Sequence, residues 1–445
     1  MTMKLPLLRI LFVTIAAVPL TGCGGLSPTA STSVAGSLMR GNVHGGQQPV
    51  AGATLQLYAA GNTGYGSAYV YTTGTSLLGN NVVQTDGNGV FSIAANQYTC
   101  PSSATPVYLV ATSGNPGLSN PAAKNTNLAL MVALGPCGSL SMLPGLDINE
   151  VTTVASVWAL SPFMSGISNI GTSSTNVQGL VNAFTNVNKL VSIGSGAASG
   201  PALPAGSTLP VSKINTLANI LASCINSGGG VAGDSSPCGS LFSDTTVGGI
   251  VPEDTITAAM NIAQHPDLNT AALYLLPSPA APFEPILNSA PADFGIVITH
   301  TVGGIAAPSS VATDASGNVW IANAGTPNSV TKLDSTGAPL SGAGGYTLSS
   351  LNKPSAIAID LNGNAWVANS GSTTATKISG SDGTGTTVSG GGLNGPFSLA
   401  VDGSNNVWVA NRGDGSVTQI NSSGTLTNYT GSGVSVPSAI AINPK

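Results

Sequence analysis

Few side chains in this sequence could carry acid–base or metal chemistry, and they are widely spaced. The histidines, His44, His265 and His300, are isolated from one another, and no GxSxG, HExxH or phosphate-binding Gly-Lys loop occurs. From Pro308 to Lys445 there is neither histidine nor glutamate, so that region offers no general base with a pKa near neutral pH. We expect no enzyme activity, no metal and no cofactor, and we assign the histidines to turns or the surface.

Cysteines supply the other reactive groups. Cys23 lies near the N-terminus, and the remaining four fall into two groups, Cys100 with Cys137 and Cys224 with Cys238. No CxxC or Cys/His spacing of a zinc site occurs. Because the two groups lie in different predicted domains, pairing within each group is favoured among three connectivities, with free buried thiols as the alternative. The second bridge would close a glycine-rich loop and contribute about 3 kcal/mol.

The first residues have the pattern of an export signal. Lys4 and Arg9 precede an apolar run, residues 10–20, which is shorter than the roughly 20 residues of a membrane-spanning helix. The run ends in Leu20-Thr21-Gly22-Cys23, which resembles the lipobox of bacterial lipoproteins. The resemblance implies cleavage after residue 22 and lipidation of Cys23. An ordinary signal peptide with an incidental cysteine is the alternative.

The lipoprotein resemblance also implies a location. Residues 1–22 would be the signal peptide and residues 23–33 a lipidated tether. The residue after the cysteine is Gly24 rather than aspartate, which in lipoprotein sorting favours the outer membrane in a cell that has one. We therefore expect a cell-envelope protein held on the membrane by its acyl chains.

The composition favours a folded protein with many short strands. Only 6% of the 445 residues are charged, 11 basic and 16 acidic, whereas 42% are hydrophobic and the mean hydropathy is +0.30. The 58 glycines and 29 prolines therefore indicate turns rather than disorder. The few basic residues form no cluster, which excludes a nucleic-acid partner.

Residues 34–145 alternate apolar and polar side chains over short runs. Asp86-Gly87-Asn88-Gly89 lies between two such runs, which is a strong hairpin signal. Together with residues 49–58, this pattern resembles carboxypeptidase-regulatory-like (prealbumin-like) modules and implies a β-sandwich. Asp86 and Asn88 could also be read as calcium ligands, but one carboxylate carries too little charge for such a site.

Residues 146–276 change to a helical period and predict a small α-helical domain. Asp147 and Glu150 form a start that is similar to a capping box, and Pro252 followed by two acidic residues opens a fourth helix. The apolar stripes assigned to the core are Ile148, Val151, Val154 and Trp158; Val177, Leu180, Val181, Phe184 and Val187; Ile214, Leu217, Ala218, Leu221 and Ile225; and Ile256, Ala259, Met260 and Ala263. The proline-rich residues 277–295 predict a semi-rigid spacer.

Residues 296–445 contain an internal repeat. Complete copies begin at Pro308, Pro354 and Pro396, and a partial fourth copy begins at Pro437. The complete copies share an Asp, a Trp and an Asn, which are Asp314, Trp320 and Asn323; Asp360, Trp366 and Asn369; and Asp402, Trp408 and Asn411. We expect the Asp to accept backbone hydrogen bonds in a turn, the Trp to pack between blades and the Asn to occupy a turn. The repeats resemble NHL-type and streptogramin-lyase-like β-propellers, which implies four-stranded blades.

Three blades and one opening strand are fewer than the four to eight blades of closed propellers. The upstream residues 294–299 could complete the ring. Two chains could instead pair their open edges as a homodimer, or the chain could be shortened at its C-terminus. The expected fold is therefore mainly β and multidomain, with an N-terminal sandwich, a helical middle domain and a C-terminal partial propeller.

The expected function is non-catalytic binding or scaffolding at the cell envelope. Streptogramin (virginiamycin B) lyases use histidine and glutamate with a magnesium ion, and none of these residues carries over to 308–445. We expect the propeller loops around Asn323, Asn369, Asn411 and Arg412 to form a face that recognises an envelope protein or a glycan. A lyase-like enzyme and a purely architectural envelope protein are the alternatives.

Overall fold

The computed structural model describes residues 32–70, 76–143, 145–277, 281–431 and 433–443. The predicted signal peptide and Cys23 lie outside the described residues. Within the described part, no helix is both long and apolar enough to cross a lipid bilayer. The fold is mainly β, as predicted, and its α-helices lie between residues 150 and 274.

The N-terminal region consists of short strands in two main sheets. The strands are β1 (Val34–Ala35), β2 (Met39–Gly45), β3 (Gln48–Pro49), β4 (Thr54–Ala59), β5 (Val83–Gln84), β6 (Val90–Ile93), β7 (Thr99–Cys100), β8 (Pro106–Thr112) and β9 (Ala129–Pro136). One antiparallel sheet has the order β5-β4-β8-β9, β2 pairs with both β3 and β6, and β1 pairs with β7. Burial alternates along β2 and β4, so one face of each strand lies in the core.

The Asp86 turn is confirmed, but it is not the turn of a hairpin. Asp86 Oδ1 accepts hydrogen bonds from the backbone N–H groups of Asn88 and Val90 at 2.8 and 2.9 Å. The flanking strands pair with different partners, because β5 joins β4 and β6 joins β2. The turn therefore carries the chain from one sheet to the other.

The middle region alternates helices with short strands. Its elements are β10 (Leu146–Ile148), α1 (Glu150–Leu160), β11 (Met164–Gly166), β12 (Asn169–Ile170), α2 (Val177–Leu190), β13 (Ser207–Thr208), α3 (Val211–Ile225), α4 (Pro237–Asp244), α5 (Thr255–Gln264) and α6 (Thr270–Tyr274). Short 3-10 turns occupy Ala95–Gln97, Cys137–Met142 and Ser161–Phe163.

The first helix begins differently from the prediction. Asn149 caps α1, since its side-chain oxygen accepts from Thr152 N at 3.0 Å and its own N–H donates to Thr152 Oγ1 at 2.9 Å. Asp147 lies in β10, which pairs in parallel with β2, and the carboxyl group of Glu150 accepts from Gly46 N. The predicted Asp147–Glu150 capping box is wrong for this reason. Asp254 caps α5 rather than lying in its first turn.

The sheets and helices share one hydrophobic core, which extends from Met39 to Phe294. Helices α1, α2 and α5 pack on β9. Strands β8 and β9 are therefore buried along almost their whole length and show no alternation. Residues 33–445 form one compact unit, and the division into domains at residue 145 stays a prediction.

Two disulfides join the pairs that the sequence predicts. Cys100 is bonded to Cys137 and Cys224 to Cys238, with sequence separations of 37 and 14. The first ties β7 to the 3-10 turn after β9. The second ties α3 to α4, a helix that the periodicity of the sequence did not reveal.

The proline-rich segment is packed on the helices, which corrects the prediction of a spacer. Asn219 on α3 donates to the carbonyl oxygen of Phe283 at 2.8 Å and accepts from its N–H at 3.1 Å. Phe294 is fully buried, and its carbonyl oxygen accepts from Trp158 Nε1 at 2.9 Å. Proline lacks an N–H, so polar side chains from the helices supply hydrogen bonds that a regular element would have provided.

The C-terminal region folds into three successive antiparallel sheets. Its strands are β14 (Thr299–His300), β15 (Pro308–Thr313), β16 (Val319–Asn323), β17 (Ser329–Leu333), β18 (Pro354–Ile359), β19 (Ala365–Asn369), β20 (Thr374–Ile378), β21 (Gly385–Ser389), β22 (Pro396–Val401), β23 (Val407–Asn411), β24 (Ser416–Ile420) and β25 (Leu426–Tyr429). The sheets are β15–β17, β18–β21 and β22–β25, hereafter blades 1, 2 and 3. Strand β15 lies beside β18 and β18 beside β22, which is the arrangement of propeller blades.

The arc differs from the prediction at both ends. Blade 1 has three strands, and Tyr346 bridges to Val330 where a fourth strand would begin. Residues 294–299 do not complete a ring, because β14 pairs with β13 in the middle region. Residues 437–443 form no strand, so a fourth blade does not open within the described residues.

Tryptophans join successive blades, as predicted. Trp320 is fully buried in a cluster with residues of blade 2, and Trp366 lies in the equivalent cluster with blade 3. Trp408, in blade 3, is half-buried and stacks on Tyr429 with 5.7 Å between ring centroids.

Candidate binding site

The repeated aspartates organise their own turns. Asp360 Oδ1 accepts from the backbone N–H groups of residues 362 and 364, and its Oδ2 accepts from Trp366 Nε1 at 3.0 Å. Burial would raise the pKa of Asp314 and Asp360, but hydrogen bonds from the Asn and Trp side chains outweigh it and hold each pKa below its usual value. The hydrogen bond from Trp408 contributes most to lowering the pKa of Asp402 to about 2. These carboxylates are ionised and hydrogen-bonded within their own blades, so they stabilise the turns of the blades rather than act as acids or bases.

The repeated asparagines lie inside their blades, so these three side chains do not belong to the predicted binding face, whereas the loops around them and Arg412 stay a prediction. Asn323, Asn369 and Asn411 are fully buried. Each amide nitrogen donates to two hydroxyls on the third strand of its blade at 2.9 to 3.3 Å, and each amide oxygen accepts a backbone N–H 17 residues earlier at 3.1 to 3.4 Å. With its hydrogen bonds directed inward, none of the three side chains is presented to a ligand. Arg412 is exposed, and its guanidinium lies over the Phe397 ring at 4.9 Å.

A large cleft separates blade 1 from the helices. It has a volume of about 850 Å³, within the range of roughly 300–1,000 Å³ for small-molecule sites. One wall comes from the end of α1, the end of α2 and the segment before β14, and the other from β15, β16 and β17. The apolar lining residues are Trp158, Ala159, Leu190, Ile296, Ile298, Ile305, Val311, Val319, Ile321 and Leu333. Most of them are only partly buried, so the cleft exposes apolar surface on two facing walls.

The blade wall of the cleft is equivalent to surfaces that are covered elsewhere in the arc. By strand register, Val311 and Ile321 in blade 1 match Ile357 and Val367 in blade 2. Ile357 and Val367 are buried in the cluster that contains Trp320 of the preceding blade. Blade 3 repeats the arrangement, with Trp366 in the same role. In blade 1 no blade precedes this surface, and Val311 is 64% exposed.

Polar groups gather at one end of the cleft. Lys189, near the end of α2, is 4% exposed and donates from Nζ to the carbonyl oxygen of Ser335 at 3.0 Å. Burial lowers the pKa of Lys189 to about 8, although the carboxylate of Asp334 opposes this shift. His300 Nδ1 lies 2.8 Å from Ser207 Oγ, and burial together with Lys189 lowers the pKa of His300. At neutral pH this end therefore holds a charged ammonium, the ionised carboxylate of Asp334 and an uncharged imidazole.

His300 was expected in a turn or on the surface, and the structure places it in the cleft wall instead. No local pattern indicates this position, because Lys189 and His300 lie on separate elements more than 100 residues apart. Their proximity arises from the pairing of β13 with β14, which carries the segment before blade 1 back to the helices.

A smaller polar pocket of about 370 Å³ lies between the β2–β3 turn and the start of α1. His44 Nδ1 is 3.6 Å from Asp147 Oδ1, and beside them both carboxyl oxygens of Glu150 lie 2.9 and 3.0 Å from Gly46 N. Burial raises the pKa of Asp147 against the effect of His44, and raises the pKa of the fully buried Glu150 to about 8. Glu150 thus retains its proton at neutral pH. No metal-binding group of three His, Cys, Asp or Glu residues occurs in the part of the chain that the structure describes.

Comparisons with known proteins find distant structural neighbours. No protein family profile and no curated protein sequence matches the chain. Similar solved structures include a streptogramin B lyase, at 17% identity and a TM-score of 0.27, covering 31% of this chain and 45% of the other. A virginiamycin B lyase from Staphylococcus aureus matches at 16% identity and a TM-score of 0.25, covering 30% and 44%.

A protein of unknown function from Bacteroides caccae matches at 18% identity and a TM-score of 0.24, covering 30% of this chain and 49% of the other. The chain spans less than half the length of these structures.

Proposed function

We propose that this protein is an exported, lipid-anchored envelope protein with a non-catalytic binding role, and that its ligand occupies the cleft between blade 1 and the helices. The sequence pattern around Cys23 supports export and anchoring. Because the repeated asparagines are buried, we place the ligand in the cleft rather than on the propeller loops. Labelling with radioactive palmitate, lost in Cys23→Ser, tests the anchor.

The observation that carries the binding role is the uncovered apolar wall of blade 1. In blades 2 and 3, the matching surface is covered by a tryptophan-bearing face of the preceding blade. Exposing apolar surface to water costs about 25 cal/mol per Å², so a ligand with an apolar body gains free energy by filling the space.

A non-catalytic role fits the groups in the cleft. Its titratable side chains are Lys189, His300 and Asp334, and Asp334 Oδ1 already accepts three hydrogen bonds within its own turn. The repeats contain no histidine or glutamate. Recognition of an apolar ligand requires no general acid or general base.

The test is the binding of N-phenyl-1-naphthylamine, an uncharged probe whose fluorescence rises in apolar surroundings. The protein would comprise residues 24–445, exported to an oxidising compartment, since residues 33–445 form one compact unit. Val311→Asp places a charge on the exposed cleft wall and should weaken probe binding by about tenfold or more. Val297→Asp is the matched control, because Val297 is 69% exposed and lies outside the cleft lining. Absence of probe binding, or equal weakening by both variants, would contradict the proposed function.

A further inference from the structure

We propose that the ligand of the cleft is a carboxylate-bearing amphiphile, with its apolar body between the two walls and its carboxylate against the Lys189 ammonium. This inference rests on the proposed function and adds the chemical class of the ligand. It follows from hydrogen-bonding capacity at the polar end of the cleft.

Lys189 has donor capacity that the protein leaves unused. An ammonium group carries three N–H donors and no acceptor. Among the described residues, Lys189 Nζ donates to one acceptor, the Ser335 carbonyl oxygen. The side chain lines the cleft and is almost completely buried. A buried cation with unmet donors is costly, and an anionic acceptor in the cleft removes that cost.

The neighbouring groups favour an anion over a cation. Asp334 is the acidic group that acts on Lys189, but its Oδ1 accepts from Thr336 N, Thr336 Oγ1 and Ala338 N at 2.8, 2.6 and 2.9 Å. No ion pair within 4.0 Å joins Asp334 to Lys189 in the described structure. Asp334 Oδ1 is thus held by its own turn, whereas the Lys189 ammonium keeps donors that no acceptor of the described residues uses.

His300 completes the polar end without adding charge. Its Nδ1 is engaged with Ser207 Oγ, and its ring lies against Gly337, where an added Cβ would come within 2.3 Å of the ring. The polar end thus holds one ammonium with unused donors, one uncharged imidazole and the Asp334 carboxylate, whose Oδ1 is bonded within its own turn. A monoanionic head group on an apolar body fits the ammonium and the apolar walls. A carboxylate has this charge and accepts strong hydrogen bonds from an ammonium.

The cleft has room for such a molecule in one orientation. The polar residues Lys189, His300, Asp334, Ser335 and Gly337 are joined by the contacts described above, whereas the remaining lining is mostly aliphatic or aromatic. An amphiphile with its head at Lys189 therefore leaves its apolar body facing Val311, Val319 and Ile321. The reverse orientation would place the carboxylate among those apolar side chains and the neighbouring Ser309 and Ser310, away from the ammonium that balances its charge.

The experiment displaces bound N-phenyl-1-naphthylamine from the residue 24–445 protein with decanoate, decanol or decylammonium, each below its micelle concentration. These ligands share a chain length and differ in their head group. At about pH 7, decanoate should displace the probe at a concentration about tenfold or more below that of decanol, and decylammonium should be weakest. The advantage of decanoate over decanol should disappear in Lys189→Met and persist in Lys124→Met, which removes an exposed lysine elsewhere.

A measurement on the unmodified protein covers the case in which Lys189→Met does not fold. The advantage of decanoate should fall as the pH rises from about 7 to about 10, because Lys189 loses its proton, while the affinity for decanol stays constant. Equal displacement by all three ligands, or strongest displacement by decylammonium, would overturn the carboxylate proposal and leave the cleft function standing. If the probe binds nowhere in the cleft, the proposed function itself fails.

Discussion

Replacing Glu150 with glutamine should stabilise the fold at neutral and mildly alkaline pH. Glu150 is fully buried at the start of α1, and both its carboxyl oxygens face the N–H of Gly46 at about 3 Å. Burial, with a smaller contribution from Asp147, raises its pKa from 4.5 to about 8 against the hydrogen bond from Gly46. Glutamine has nearly the same shape and can accept the same hydrogen bond without any charge.

The sign of the pH effect follows from the two pKa values. Below about pH 4.5 the carboxyl is protonated in both states, so it adds no pH dependence. Between about pH 4.5 and 8 the unfolded chain releases the proton while the native chain keeps it, so the free energy of unfolding falls as the pH rises. At about 1.4 kcal/mol per pKa unit, the loss attributable to this group reaches at most about 5 kcal/mol near pH 8.

The assay is urea unfolding followed by tryptophan fluorescence at several pH values between about 4.5 and 8, with the disulfides intact. The difference in free energy of unfolding between Glu150→Gln and the unmodified protein should grow with pH in favour of the variant. Glu253→Gln, at an exposed position, is the control and should follow the unmodified protein. Parallel curves for all three proteins would refute the assignment of a proton to buried Glu150.

Three further outcomes follow from the packing. Trp320→Ala should lower the free energy of unfolding by about 4 kcal/mol and Trp408→Ala by about 2 kcal/mol. The difference arises because Trp320 is covered by the next blade whereas Trp408 is half-exposed. Equal losses in urea unfolding would mean that another chain covers Trp408. Asn369→Ala should cost about 2–3 kcal/mol, since two hydroxyls and a backbone N–H lose their partner, and probe titration should show unchanged affinity, contrary to a role in the binding face. Replacing Cys224 and Cys238 together with alanine should cost about 3 kcal/mol, because their bond closes a loop with a sequence separation of 14; unfolding curves that already coincide under oxidising conditions would argue against this bridge.

Local patterns predicted much of the architecture. Short alternating runs identified strands, helical spacing identified α2 and α3, and the repeat beginning at Pro308 identified the blades. These predictions succeed because side-chain period and turn chemistry act within a few residues. Errors of position occurred where two local solutions compete, as at the start of α1, where Asn149 rather than Asp147 provides the cap.

The candidate site was much less accessible to sequence reasoning. The repeated Asn was assigned to a turn because Asn is common there, but the partners that bury Asn323 and Asn369 come from a neighbouring strand and from a loop 17 residues earlier. Predicting the cleft would require contacts between residues that are even farther apart in the sequence. Lys189 and Val311 meet across it only because the proline-rich segment packs on α3 and β14 pairs with β13.

The sequence by itself therefore determined the short strands, the repeated Asp–Trp turns and the pairing of the four described cysteines, since each depends on neighbours along the chain or on a small number of combinations. Tertiary structure alone decided which of the repeated surfaces stays uncovered and which buried carboxyl keeps its proton. Both depend on what packs against a residue from distant parts of the chain. That packing sets exposure to water, and exposure sets the free energy of an apolar surface or a charge.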